Sequence, residues 1–226
     1  MEFLKKILDL LFPRRCPICD EIIRDGYIHD KCIPKIKIIG KKSCCICGKY
    51  IPNGSICREC NEHNHYYDLG ISTFIYTGEL KESILRFKYN KRQEYAKFFA
   101  REMAKKILVN NIPIDIIVPV PIHRKRLVKR GYNQAELLAK EIASIIDKPF
   151  NNCLIRIKNT KPLNQLDKNQ RLETMKGTIK FSGDNIIDKD ILIVDDIYTT
   201  GTTIDICANK LKEVGANKVY FITIAS

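Results

Sequence analysis

ILIVDDIYTTGTT, running from Ile191 to Thr203, joins a strand, an acidic pair and a hydroxyl-rich loop in one short segment. Its four leading residues are apolar and mostly β-branched, which reads as a strand buried on both faces, as in a parallel sheet. Asp195 and Asp196 close the strand, and Thr199, Thr200, Gly201, Thr202 and Thr203 form a small loop. Beyond it, Ile204, Ala208 and Leu211 recur at helical spacing and predict a helix to Val214. Strand, acids, loop and helix in this order place a ligand site at the carboxyl end of a strand in an α/β fold.

The atoms of that loop define what it can hold. Gly201 lets the backbone turn tightly and approach a ligand. The N–H groups at the helix start, with the threonine hydroxyls, suit a phosphate monoester. Two carboxylates beside a phosphate cannot be its ligands. They suit the vicinal hydroxyls of a sugar, or a Mg²⁺ with its waters. Phosphate and diol together describe a ribose 5-phosphate. The plainer alternative is a capping threonine with two solvated acids. It would win for a lone Asp-Asp pair, but the whole run in this order outweighs it.

The chain has 226 residues, 45% of them apolar, which is ample for a core. Its 39 basic and 26 acidic residues leave a net charge of +13. Residues 1–70 carry +3, 71–150 carry +8 and 151–226 carry +2, so the excess sits on the middle third. Such a surface suits polyphosphates or nucleic acid, although lysine-rich composition also serves solubility, and charge alone does not separate these. No segment has the apolar length of a membrane span. Phe3, Leu4, Ile7, Leu8 and Leu11 form a helical stripe, but Lys5, Lys6 and Asp9 interrupt it and make it a poor signal-peptide core. The expectation is a short amphipathic helix on a cytoplasmic protein, with a head over 1–68 and a second domain over 69–226.

Eight of the ten cysteines fall between Cys16 and Cys60. Cys16/Cys19, Cys44/Cys47 and Cys57/Cys60 each leave two residues between sulfurs, a spacing that points both at one ion. Cys32 is single, and His29 precedes it at the same spacing. Two quartets follow, Cys16/Cys19/His29/Cys32 and Cys44/Cys47/Cys57/Cys60, with Cys45 to spare. They suit one or two structural zinc ions, because every ligand position is filled by protein. A disulfide framework is the competing reading, and a cytoplasmic chain argues against it. Zinc would stabilise a segment too small to stand on its own core.

In the middle third, a helical pattern runs from Glu79 to about Leu108 and breaks near Tyr89 and Asn90. Arg86, Lys88, Lys91 and Arg92 cluster at the break around Phe87 and Tyr89. They read equally well as a single-strand nucleic-acid surface or as a solvated rim over core aromatics. Asp115 to Val120 is a second buried strand, and the run PIHRKRLVKRGYNQ from Pro121 leads into a helix from Ala135 to Ile146. Arg124, Arg126 and Arg130 suit a pyrophosphate, or a phosphate-backbone stripe for DNA. Asn133 is a helix cap. Asn159 to Lys176 has no sustained apolar period, which marks a long loop with a function or a plain linker.

These motifs together resemble the ComF family of competence-associated proteins, whose main domain is a type I phosphoribosyltransferase. The resemblance spans essentially the whole chain, from the cysteine pairs through VPVPIHRKRLVKRGYNQAELLAK to VDDIYTTGTT. It implies a parallel sheet flanked by helices, with a small double zinc ribbon in front. Asp195 and Asp196 would hold the ribose diol of phosphoribosyl pyrophosphate (PRPP) with Mg²⁺, and Thr199 to Thr203 its 5′-phosphate. Pro119, Val120, Pro121, Arg124 and Arg130 would form the pyrophosphate side, and Gln165 and Arg171 would belong to a flexible loop closing over it. The family associates with natural transformation, single-stranded DNA and a helicase-like partner. No segment plainly supplies a hood that selects a nucleobase. Two functions therefore stand: phosphoribosyl transfer to an unknown acceptor, or nucleic-acid binding by a competence protein whose PRPP site is regulatory or vestigial.

Overall fold

The computed structural model describes residues 13–158, 177–183 and 185–226. The expected N-terminal helix, and the loop carrying Gln165 and Arg171, lie outside these residues. The cysteine-rich head ends with α1 (Arg58–Glu62), and β1 (Leu69–Phe74), α2 (Gly78–Tyr89), α3 (Tyr95–Val109) and β2 (Ile116–Pro119) come after it. Then follow α4 (Arg124–Arg130), α5 (Gln134–Ile146), β3 (Leu154–Arg156), β4 (Ile179–Phe181), β5 (Ile191–Ile197), α6 (Thr202–Glu213) and β6 (Val219–Ala225). No helix among the described residues is long and apolar enough to cross a membrane.

Four strands form a parallel sheet in the order β1-β6-β5-β2. The central strand β5 is the apolar run read from the sequence, and its side chains alternate between two cores. Leu192 and Val194 join Phe99, Met103, Leu138 and Ile142 of α3 and α5 on one face. Ile191 and Ile193 join Ile204, Cys207, Ala208 and Leu211 of α6 on the other. Both sets are fully buried or nearly so, which is why β5 shows no polar position before Asp195. β3 and β4 make a separate antiparallel pair.

The run after Pro121 departs from the expected open loop. Arg124–Arg130 forms about two helical turns, capped at the start by His123, whose Nδ1 accepts from the Lys125 N–H at 3.2 Å. Gly131, at φ 84°, ends it in a left-handed conformation that a side chain would disfavour. Asn133 caps α5 as expected, accepting from the Ala135 N–H, and its amide also donates to Val120 O at 3.0 Å.

The head covers the edge of the sheet. Lys37–Ile39 runs antiparallel beside the end of β1, with Ile39 N–H donating to Thr73 O at 2.9 Å and Ile75 N–H to Lys37 O at 2.8 Å. Edge strands left open invite pairing with other chains, and this one is closed by the protein itself. Cys16 and Cys32 pack into the core on the α3/α5 face, whereas Cys44, Cys47, Cys57 and Cys60 pack into the core on the α6 face. The two quartets therefore straddle the sheet.

Candidate functional site

The carboxyl ends of β5 and β2 lie side by side. Pro119 is in register with Val194, and Val120 N–H donates to Val194 O at 2.9 Å. Buried Pro119, Val120 and Pro121 thus lie alongside Asp195. α5 packs on β2 and β5 from one face and α6 leaves β5 on the other, so the crevice between these ends is a switch point, where open α/β sheets take ligands.

Strand alternation sends the two acids to opposite faces. Asp196 turns toward α2, where Lys88 Nζ lies 2.8 Å from its Oδ1, with side chains only 16% and 13% exposed. Burial alone would favour a neutral amine, but Asp196, with Asp195 behind it, outweighs burial and holds the Lys88 pKa above its ordinary value. Asp195 lies on the α6 side, accepting from the Asp196 N–H at 2.8 Å. Burial first, and then the Asp196 charge, push its carboxyl up to about 7, against the pull of that N–H, of Lys88 and of Arg156. Arg156, on β3, is itself lowered by burial and by the charge of Arg126. Lys88 and Arg156 are site residues that sequence reasoning did not single out. Lys88 was visible as part of a basic cluster, but nothing in a linear sequence pairs it with an acid more than a hundred residues away.

The loop that follows is shaped by Gly201. Its φ is 75°, and a Cβ there would come within 2.6 Å of the Tyr198 hydroxyl. Only glycine lets the backbone turn over that ring without displacing it. Thr202 is buried, Thr200 and Thr203 are half-buried, and Thr199 is exposed. The Thr200 and Thr202 hydroxyls lie 3.1 Å apart. α6 thus opens its N–H groups at the loop with no side-chain cap of its own, leaving them for an anion.

Arg124 is exposed at the start of α4, and Arg130 is half-buried at its end. Arg130 donates to Gln134 Oε1 at 3.1 Å and to the Tyr89 hydroxyl at 3.2 Å, and its guanidinium lies 5.0 Å over the Tyr89 ring. The basic cluster of α2 is divided. Arg86 donates to the carbonyls of Pro17 and Ile18, Arg92 pairs with Asp20, and Phe87 is in the core. Arg86 and Arg92 are therefore struts to the head, a role neither sequence alternative foresaw.

In each cysteine quartet, the potential ligand atoms all lie within 4.8 Å of one another. All ten cysteines are free thiols. Amides face the sulfurs, as Cys57 N–H does Cys44 at 3.3 Å. Burial raises the Cys44 thiol, but N–H groups of Cys47, Cys57 and Ile46 outweigh it and bring it down to about 7. Cys32 is pushed up to about 12 by burial first and then by Cys19 and Cys16, and Cys60 likewise by burial and by Cys57 and Cys44, against a hydrogen bond from Cys47. Three or four thiols crowded in this way ionise together only around a cation. Both quartets fit structural zinc, with no position left for a substrate.

Comparison with known proteins agrees with this architecture. The double zinc ribbon domain family matches residues 7–61, and the phosphoribosyl transferase domain family matches residues 94–226. Competence protein ComFC of Bacillus subtilis is 29% identical over 202 residues, covering 84% of this chain and 80% of the relative. Competence protein F of Haemophilus influenzae is 26% identical over 211 residues, covering 83% and 92%. DNA utilization protein YhgH of Salmonella typhi is 27% identical over 169 residues, covering 72% and 74%.

Proposed function

Because this chain belongs to the phosphoribosyl transferase domain family, behind a double zinc ribbon, we propose that it binds PRPP with Mg²⁺ at the β5/β2 crevice and serves in DNA uptake. The observation that carries this reading is the arrangement around β5. The uncapped start of α6 at Gly201, the Asp195–Asp196 pair with Lys88 as its counter-ion, and the end of β2 lie at the carboxyl ends of neighbouring strands, with the Arg130 charge felt at Lys88. Thr199 to Thr203 take the 5′-phosphate, and Asp195 and Asp196 take the ribose diol. Pro119 to Pro121, with Arg124 and Arg130, border the pyrophosphate. Lys88 balances the acid pair before ligand arrives. Asp195 and Asp196 would hold a Mg²⁺ through its waters, and the ion would supply charge neutralisation to the pyrophosphate. The chain's own contribution is to fix the ribose and shield the leaving group's charge, with transfer to an acceptor as the resulting activity. Ten cysteines outside any disulfide, seven of them set for zinc, accord with the reducing cytoplasm.

Calorimetric titration of the zinc-loaded chain with PRPP and Mg²⁺ tests this. Binding that disappears in Asp195→Ala/Asp196→Ala is expected; a folded chain that gives no heat sinks the reading.

A nucleic-acid role is favoured by one observation. Tyr89 is 57% exposed with Arg130 stacked on it, and Lys91, Arg124, Lys125 and Lys129 lie exposed in the flanking segments. An aromatic plane among cations suits single-stranded DNA, and one relative is named a DNA utilization protein. Fluorescence anisotropy with single-stranded DNA should show affinity falling steeply with salt and weakening in Tyr89→Ala. Salt-independent affinity would count against phosphate contacts.

A further inference from the structure

Residues 63–68 join the second cysteine quartet to β1, and they pack against the phosphate loop and its helix. His65 and Asp205 have side chains 2% and 4% exposed, and His65 Nδ1 lies 2.8 Å from Asp205 Oδ2. The Tyr66 N–H donates to Asp205 Oδ1 at 3.1 Å. Asp205 belongs to the first turn of α6, the helix that opens onto the loop. His65 also stacks on Tyr67, centroids 4.6 Å apart, and the Tyr67 hydroxyl lies 2.9 Å from that of Tyr198, the ring under Gly201. His65 Nε2 is buried with no hydrogen-bond partner among the described residues, so the imidazole's polar contact is spent on Asp205.

A carboxylate in the first turn of a helix competes with a bound anion for the same positive end. At this depth water screens it poorly. Asp205 would therefore oppose a phosphate dianion on α6 unless its charge were engaged elsewhere. The linker does this with two donors, one side chain and one amide.

We propose that His65 is a positioning residue for the phosphate loop: by holding Asp205 it withdraws a competing carboxylate from the N-terminus of α6, and the head's linker thereby sets phosphate affinity. This rests on the PRPP reading above. The side-chain pair spans 140 residues of sequence and joins the segment carrying the second quartet to the phosphate helix.

The test is calorimetric titration of the full, zinc-loaded chain with PRPP and Mg²⁺, with zinc content and thermal melting measured in parallel. His65→Ala should bind about tenfold more weakly, the scale of an uncompensated partly buried charge at a helix end. His65→Asn places an amide donor where Nδ1 stood and should stay within about threefold of the parent. His65→Ala/Asp205→Asn, which removes the carboxylate's charge, should recover to within about threefold as well. A structural role alone predicts no such recovery. Unchanged affinity in His65→Ala, or a double variant as weak as His65→Ala, overturns the proposal. Should His65→Ala lose zinc or fail to melt cooperatively, Asp205→Asn alone decides: its oxygen keeps the Tyr66 N–H bond, its amide donates to His65 Nδ1 in the other tautomer, and it should bind as tightly as the parent or tighter, whereas a tenfold loss overturns the proposal. Absence of binding by the unsubstituted chain overturns the PRPP reading and this one with it, whereas the other failures leave the PRPP reading standing.

Discussion

Asp195 and Asp196 are neighbours in sequence with different surroundings. Asp196 has an ammonium at 2.8 Å, while Asp195 is buried against it and holds its proton to about 7. In the unfolded chain an aspartate ionises near pH 4. Between roughly pH 4 and 7 the native state therefore binds the extra proton, so this group's contribution to stability falls as pH rises through that window. Asp195→Asn removes the slope while keeping an oxygen for the Asp196 N–H. The variant should be more stable than the parent at pH 7 by a few kcal/mol, about 1.4 for each pH unit of that window, and the two should converge below about pH 4. Denaturant melts across that pH range would measure this. A parent as stable as the variant at every pH would refute the account of Asp195. Loss of PRPP binding in the same variant is the expected cost, since a site that concentrates like charge is strained without its ligand.

Among the elements, α5 shows how a cap can serve a site. Asn133 closes the first turn of the helix with its oxygen and ties down the end of β2 with its amide, through Val120 O. Loss of a cap costs about 1 kcal/mol, and the freed Val120 carbonyl adds to it. Asn133→Ala should therefore lower stability by about 1–2 kcal/mol and weaken PRPP binding, whereas Asn133→Asp, which caps but cannot donate, should lose less stability. Equal losses in the two would mean the cap contributes nothing, and no loss in Asn133→Asp that the Val120 bond contributes nothing. The cap was readable because Asn before a helical run is a local signal. The short helix α4 was missed because its basic residues bury nothing, and its start depends on His123 folding back on Lys125 N–H. The pairs Lys88–Asp196 and His65–Asp205 had no local signal at all.

Across the whole molecule, the two cysteine quartets stand on opposite faces of one sheet and share its cores. Chelation should therefore do more than unravel the head. Removing both metals should abolish cooperative unfolding of the chain or lower its melting temperature by 10 °C or more, since structural zinc sites contribute about 10 kcal/mol or more in small domains. Metal analysis should give two ions per chain, and one would exclude the quartet containing His29. A chelated chain that melts as before would show that the ribbons are independent of the sheet. The buried β5 run, the cysteine spacing and the Asp-Asp-to-threonine loop were each determined locally, because periodicity, two-residue spacing and a tight turn are properties of adjacent residues. Where the positive charge went was decided only by tertiary packing. Arg86 and Arg92 brace the head, Lys88 meets the acid pair, and His65 reaches the phosphate helix. Ion pairs depend on distance in space, and strands from distant parts of the chain had to be laid side by side before those distances existed.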